Sequence, residues 1–364
     1  MPKVAVVLGE LLRLAPRELA EPWDNVGLLC GDSGQEAAGA LVCLDPTPEA
    51  LQEAARLGAN LVISHHPLFI QPQRAFTADG LDTAAAVWAV AAGLSVICLH
   101  TNLDLAPGGL GCEVAGRLGL TGLSPVVPVE MGALQKLVVF VPETHREQML
   151  AAIADAGAGV IGKYDYCSFS TPGTGTFRAL PGAQPFLGQV GEIARATEVR
   201  LETVVPKAIA GRVIKAMLAA HPYEEVAFDL YALENPWPGA GLGALGRLPG
   251  PMSAQELLDH VTRVLGGPVR AAGERAQVER VAVIPGGAGR YVTEAAQAGA
   301  EALVTGEASH HDALRACQLG VLLVVAGHYQ TEIPAVALIA RWCREAFPGL
   351  AVHEHPAAPP WSRE

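Results

Sequence analysis

Apolar residues recur in short blocks along this chain, and many blocks end in a polar, chemically active residue. Ala40–Leu44, Asn60–Ser64 and Leu94–Leu99 read as strands, because each run is short, uncharged and apolar. Between the first two, Thr47–Leu57 has helical spacing, with Thr47 placed to cap it and Pro48 in its first turn. The uncharged stretch Ala84–Leu99 is sixteen residues long, short of the roughly 20 that a membrane span needs. An Ala-rich helix, a turn at Gly93 and a buried strand account for it better. A second series repeats this pattern nearer the C-terminus. There Val278–Ile284, Ala302–Val304 and Val321–Ala326 are strands, and an apolar helix runs from about His328 to Phe347. Strands alternating with helices predict βα units in a mainly parallel or mixed sheet.

The middle of the chain has another rhythm. Lys136–Val141 is a strand and Thr144–Ala156 a helix; Tyr164–Ser170 and Thr176–Ala179 are two strand candidates around Pro172-Gly173-Thr174-Gly175. Glu198–Val205 alternates as a half-exposed strand does, Ala208–Ala220 is a helix, and Val226–Leu233 closes with a strand. Strand-helix-strand taken twice is the ferredoxin-like order. Pro125 and Pro128 before it, and Pro236-Trp237-Pro238-Gly239 after it, read as linkers. The expected architecture is a discontinuous layered α/β body from residues 1–130 and 238–364, carrying an inserted ferredoxin-like α+β domain at 131–237.

Half of the 364 residues are hydrophobic and mean hydropathy is +0.29, the balance of a folded protein with a sizeable core. The net charge of −12, with no long basic run, argues against a nucleic-acid partner. Seven dispersed cysteines without CxxC spacing read as reduced, buried thiols. The N-terminus lacks the shape of a signal peptide, so a cytoplasmic protein with no membrane partner is expected.

Candidate chemistry gathers where strands end, the edge at which α/β sheets bind ligands. His65-His66-Pro67 follows one strand and Asp104 follows another. His328 and Glu332, four apart, share one helix face. Three imidazoles and two carboxylates suit Zn, Fe or Mn. They fill two divalent ions only in part and leave positions for water or substrate, as a catalytic pair needs. Glu307 with His311 reads either as an acid–base pair beside the metals or as a helix-capping cluster. The loop Pro285–Gly289 is either a phosphate cradle or an ordinary Gly-rich turn. His100 reads as support for the site, not as a ligand. Trp23 and Asp24 read as packing or hydrogen-bonding near it. His221 to Glu225 fits a helix end closed by Pro222 better than a second cation site.

His65-His66-Pro67-Leu68, His100-Thr101-Asn102-Leu103-Asp104 and Gly327-His328-x-x-x-Glu332 resemble the motifs of the NIF-three-like family, the GTP cyclohydrolase 1 type 2 homologues. Glu21-Pro22-Trp23-Asp24-Asn25-Val26-Gly27-Leu28 and Thr305-Gly306-Glu307-Ala308-Ser309-His310-His311-Asp312-Ala313 are similar to it as well. In the insert, Gly173-Thr174-Gly175-Thr176-Phe177 and His221-Pro222-Tyr223-Glu224-Glu225 resemble the CutA/PII-like domain of its longer members. The resemblance implies His65 and Asp104 on one metal, His66 and His328 on the other, and Glu332 touching both. It also implies a homohexamer. One departure stands out: after Asp104 the family usually reads Gly-Gly-Val-Asn-Asp, whereas this chain has Gly108-Gly109-Leu110-Gly111-Cys112. The function implied is a dinuclear-metal-dependent hydrolase opening the ring of GTP or acting on a similar small molecule, with two-metal phosphoester hydrolysis as the chemical alternative. From a different class comes a metal-binding regulatory or metal-handling protein whose insert answers to a ligand.

Overall fold

The structure is a computed structural model describing residues 1–80, 83–129, 134–235, 237–355 and 358–359. The boundary expected at 130/131, and Pro236 of the expected linker, lie outside the described residues. The chain divides into two units, Met1–Pro128 with Gly239–Glu364, and Val129–Pro238.

In the first unit, helix α1 (Val4–Leu14) leads into β1 (Gly27–Cys30), β2 (Ala40–Cys43), α2 (Pro48–Arg56), β3 (Leu61–Ser64), α3 (Ala84–Ala91) and β4 (Ser95–Cys98). Thr47 caps α2 as expected, its Oγ1 accepting from Ala50 N at 3.3 Å. β2, β3 and β4 run parallel, and β1 joins β4 antiparallel. Every residue of the three parallel strands is buried, which explains their continuous apolar runs. After β4 come α4 (Thr101–Leu105), α5 (Leu110–Arg117), β5 (Thr121–Ser124) and β6 (Val127–Pro128).

The second unit contains β7 (Leu134–Pro142), α6 (Arg146–Asp155), β8 (Ser168–Arg178), β9 (Ile193–Pro206), α7 (Ala210–Ala220) and β10 (Phe228–Leu233), in an antiparallel sheet ordered β10-β7-β9-β8. Leu137, Val139, Leu201 and Val205 pack against Met149, Ile153, Val213 and Met217 of the helices. The two strands expected around Pro172–Gly175 are one unbroken strand, paired with β9 throughout. β8 lies at the sheet edge, where a residue without an N–H is tolerated.

The first unit resumes with β11 (Gly241–Leu242), β12 (Ala244–Met252), α8 (Ala254–Leu265), β13 (Arg270–Ala272), β14 (Val278–Ile284), α9 (Val292–Gln297), β15 (Ala302–Thr305), α10 (His310–Leu319) and β16 (Leu322–Val325). It ends with α11 (His328–Glu332), α12 (Pro334–Ala346) and β17 (Val352–Glu354). A six-stranded sheet, β13-β16-β15-β14-β12-β5, has a parallel core of β14, β15 and β16 with antiparallel neighbours. β17 returns to the first sheet beside β2. The single helix expected after His328 is two, because Pro334 has no N–H to continue the ladder and instead opens α12. The result is a mixed α/β fold with several sheets. Among the described residues, no helix is long and apolar enough to cross a membrane.

Helix α5 carries two glycines in opposite surroundings. A Cβ on Gly111 would lie 2.7 Å from Gly243 Cα, whereas one on Gly116 would meet nothing within 4 Å. Gly111→Ala is therefore expected to destabilise the protein by roughly 1–3 kcal/mol through overpacking. Gly116→Ala should stabilise it by roughly 0.5–1 kcal/mol through helix propensity. Urea unfolding of both variants beside the wild type measures this, and a Gly111→Ala protein as stable as Gly116→Ala would contradict the packing.

Candidate metal centre

Three parallel strands from each sheet deliver their carboxyl ends to one place. Beyond β2 stands Asp45, beyond β3 His65 and His66, and beyond β4 His100 and Asp104. From the other sheet, Gly286 follows β14, Glu307 follows β15, and His328 follows β16.

Each of the four histidines is held by an oxygen at Nδ1. His65 Nδ1 meets Leu99 O at 2.8 Å, and His66 Nδ1 meets Asp45 Oδ1 at 2.7 Å. His100 Nδ1 meets Asp24 Oδ1 at 2.8 Å, and His328 Nδ1 meets Glu307 Oε1 at 3.2 Å. An acceptor at Nδ1 places the proton there and leaves Nε2 to face the interior of the cluster. Metal-ligating histidines are oriented by outer hydrogen bonds of this kind. The rings lie close: centroids of His65 and His66 are 5.2 Å apart, His65 and His100 5.3 Å, and His66 and His328 5.7 Å.

At the interior, Glu332 Oε2 lies 2.8 Å from His66 Nε2 and 2.8 Å from His328 Nε2. Burial pushes the Glu332 carboxyl up, but the bonds to His328 and His66 outweigh it and hold the group below the usual carboxylate range. For His66, burial opposes charge, yet Asp45 and Glu332 win and raise its pKa to about 10. His328 is raised by its bond to Glu332. Fully buried His65 falls to about 3. Asp104 is pushed well above its ordinary value by burial and by the charge of Glu332. His65 Nε2 and Asp104 Oδ1 lie 3.9 Å apart, both buried and both without a hydrogen-bond partner among the described residues. Two orphaned polar atoms side by side are costly, and a cation between imidazole and carboxylate would satisfy both. The nitrogen and oxygen donors here therefore fit a divalent metal. Two groups are close enough to hold one, with donor atoms within 4.8 Å: His65, His66 and His100, and His66, His328 and Glu332.

The structure thus brings together His65, His66, Asp104, His328 and Glu332, and sets Glu307 against His328. His311 is exposed on the first turn of α10, its ring 5.8 Å from His310, while Ser309 and Asp312 form the capping box of that helix. Three amides of the Pro285–Gly289 loop are bonded internally: Gly286 N on Thr331 Oγ1, Ala288 N on Thr305 Oγ1, and Gly289 N on Glu307 O. Its role is steric. Gly286, at φ +68°, lies where a Cβ would overlap Glu332 Oε1.

Sequence reasoning missed Asp45, whereas Asp24 hydrogen-bonds beside the site as expected. Asp45 follows a parallel strand just as the histidines do, and that position was the available signal. Asp24 is buried and accepts from Thr101 N at 3.0 Å as well as from His100; burial raises its carboxyl, but these bonds prevail and bring its pKa to about 2. Beside the cluster a cavity of about 940 Å³ opens, bordered by Asp45, His66, Arg270, Glu307, His328 and Tyr329.

A Halalkalibacterium halodurans protein named GTP cyclohydrolase 1 type 2 homolog is 36% identical over 323 residues, covering 88% of this chain and 87% of that one. A Mycobacterium tuberculosis protein of the same name is 37% identical, with 96% and 92% covered. The crystal structure of a Bacillus cereus protein related to NIF3 superposes with a TM-score of 0.83 at 34% identity, covering 100% of this chain and 99% of that one. The family profile described as Duf34/NIF3 (NGG1p interacting factor 3) matches residues 2–358, and the chain belongs to that family.

Proposed function

We propose that this chain is a dinuclear-metal-dependent hydrolase of the GTP cyclohydrolase type, with His65, His66, Asp104, His328 and Glu332 holding two divalent ions of the Zn, Fe or Mn class. The observation that carries this reading is the orphaned pair His65 Nε2 and Asp104 Oδ1, buried beside a carboxylate shared by His66 and His328. When bound, such ions polarise an electrophilic carbon or phosphorus and lower the pKa of a water. The chain's own residues supply the rest. Asp45 and Leu99 O fix the two imidazoles of the His65-His66 pair. Glu307 is exposed and touches His328, so it is placed to take a proton from the reacting centre and pass it to solvent. His311 is the second acid–base group in this reading, exposed on the first turn of α10, four residues after Glu307.

The cavity is of the size that holds small-molecule ligands, roughly 300–1,000 Å³, which supports a nucleotide or similar small molecule as substrate. The same reading makes the protein a cytoplasmic homohexamer and makes Val129–Pro238 an inserted ferredoxin-like domain of the CutA/PII type; its β-α-β-β-α-β order supports the latter. A metal-binding regulatory protein is the second reading, favoured by a separate cavity in that unit.

Elemental analysis of freshly purified protein is expected to find about two equivalents of divalent metal per chain, and Glu332→Ala less than one. Undiminished metal in Glu332→Ala would remove that carboxylate from the ligand set. Glu307→Gln should keep its metal and lose roughly 10²–10⁴-fold in turnover, the usual contribution of a positioned acid or base; steady-state assays with GTP measure it. Metal-loaded wild type that turns over neither GTP nor a phosphoester panel would defeat the hydrolase and leave the regulator.

A further inference from the structure

In the unit Val129–Pro238, one face of the sheet packs on α6 and α7, and alternate residues point the other way. Over that second face, the β8–β9 connection at residues 179–192 and the stretch 221–227 wall a cavity of about 750 Å³. The walls are tied together, Gln184 N donating to Glu224 Oε1 at 2.8 Å. Glu198 of β9 borders the cavity and is only 9% exposed. Gly175 makes room for it, since a Cβ at that position would overlap Glu198 Oε2.

Glu198 has a donor but no counter-charge. Tyr223 OH donates to its Oε1 at 2.9 Å. Among the described residues no cation forms an ion pair with it. Arg200, two residues on, also borders the cavity but pairs with Glu202 at 3.0 Å, and Arg178 borders it from the exposed end of β8. His221 is nearby but neutral: its Nδ1 accepts from Tyr223 N at 3.1 Å, so its Nε2–H donates to Phe140 O at 3.0 Å, and burial lowers its pKa. A buried carboxylate whose one side-chain donor is a phenol, with no ion pair among the described residues, is a charge that proteins normally pair. Around it stand aromatic faces. The Tyr223 ring lies 5.8 Å from that of Phe186 and 6.3 Å from that of Phe177, and aromatic faces attract cations.

We propose that this cavity is a binding site for a small organic cation, a protonated amine on an apolar or aromatic body, with Glu198 as its counter-charge and Phe177, Phe186 and Tyr223 as its walls. It shares no residue with the metal centre, and the inference stands or falls independently of the hydrolase reading. The helix end at His221-Pro222 closes α7, as the sequence suggests, and the same turn places Tyr223 against Glu198.

Three probes of near-equal shape and different charge test the proposal on the full-length, metal-loaded protein by calorimetry: 2-phenylethylammonium, 2-phenylethanol and phenylacetate. The ammonium is expected to bind roughly tenfold or more tighter than the other two. Glu198→Gln should erase that preference while metal content stays unchanged. Phe186→Ala, on a half-exposed ring whose loss leaves the core intact, should weaken ammonium binding roughly two- to fivefold; it decides the matter if Glu198→Gln does not fold. Equal binding of the three probes, or ammonium binding untouched by either variant, overturns the proposal. So does an oligomer in sedimentation that binds no ammonium, because a second copy of the chain would then cover the cavity.

Discussion

Glu332 receives two imidazole N–H groups, one of them from His66, 266 positions earlier in the chain. In a buried place such a carboxylate is tolerable only while both bonds are made, because its desolvation has to be offset by charge-assisted partners. The bond therefore makes the arrangement of two sheets a condition of the site. β3 must present His66 where α11 presents Glu332, and Gly286 must stay without a side chain for the carboxylate to lie there at all. The break at Pro334 serves the same end, because it separates the short helix carrying His328 and Glu332 from the longer one packed in the core.

Around that shared carboxylate the second organising feature is orientation. A free imidazole offers either nitrogen; here Leu99 O, Asp45, Asp24 and Glu307 each take one Nδ1. The direction of each ring is thus set outside the cluster, by a backbone carbonyl and three carboxylates. Such outer partners raise ligand basicity and fix ring direction. Their placement explains why the residues following β2, β3, β4, β15 and β16 act together: parallel strands in register bring their carboxyl ends level, so one residue from each reaches a common region.

That geometry also explains what was legible in the sequence. Strand-end polar residues after continuous apolar runs were readable because buried parallel strands have no polar face to blur them, as at Leu61–Ser64 before His65. Val278–Ile284 was readable through its last four residues, Val281–Ile284, which are all buried. Asp45 was hidden because Asp is common in turns, and its partner His66 lies 21 residues away. The antiparallel strands flanking the parallel cores were hidden too. β12 includes Gly246, Pro249 and Gly250, residues that read as breakers until pairing with β14 is known. In the second unit, β8 defied local reading because a sheet edge forgives Pro172. Glu198 looked like one polar position of an alternating strand; only the tertiary walls around it show that it is buried.

Asp104 and His100 both lie near His65, and the state of their polar atoms separates their roles under the two-metal reading. His100 has its Nδ1 on Asp24, and neither of its ring nitrogens is among the buried atoms left without a partner. Asp104 Oδ1 is buried, meets no donor, and faces the equally unpartnered Nε2 of His65. A proton on Asp104 could satisfy one of the two, but only by closing the 3.9 Å gap between them to hydrogen-bond length. A cation satisfies both at their observed separation, since each atom then donates a lone pair to it. Under the proposed two-metal reading, the carboxylate is thus the group with an atom left for a cation to satisfy. This ordering matches a ligand set in which Asp104 binds directly and His100, anchored by Asp24 and Thr101, lines the wall beside it.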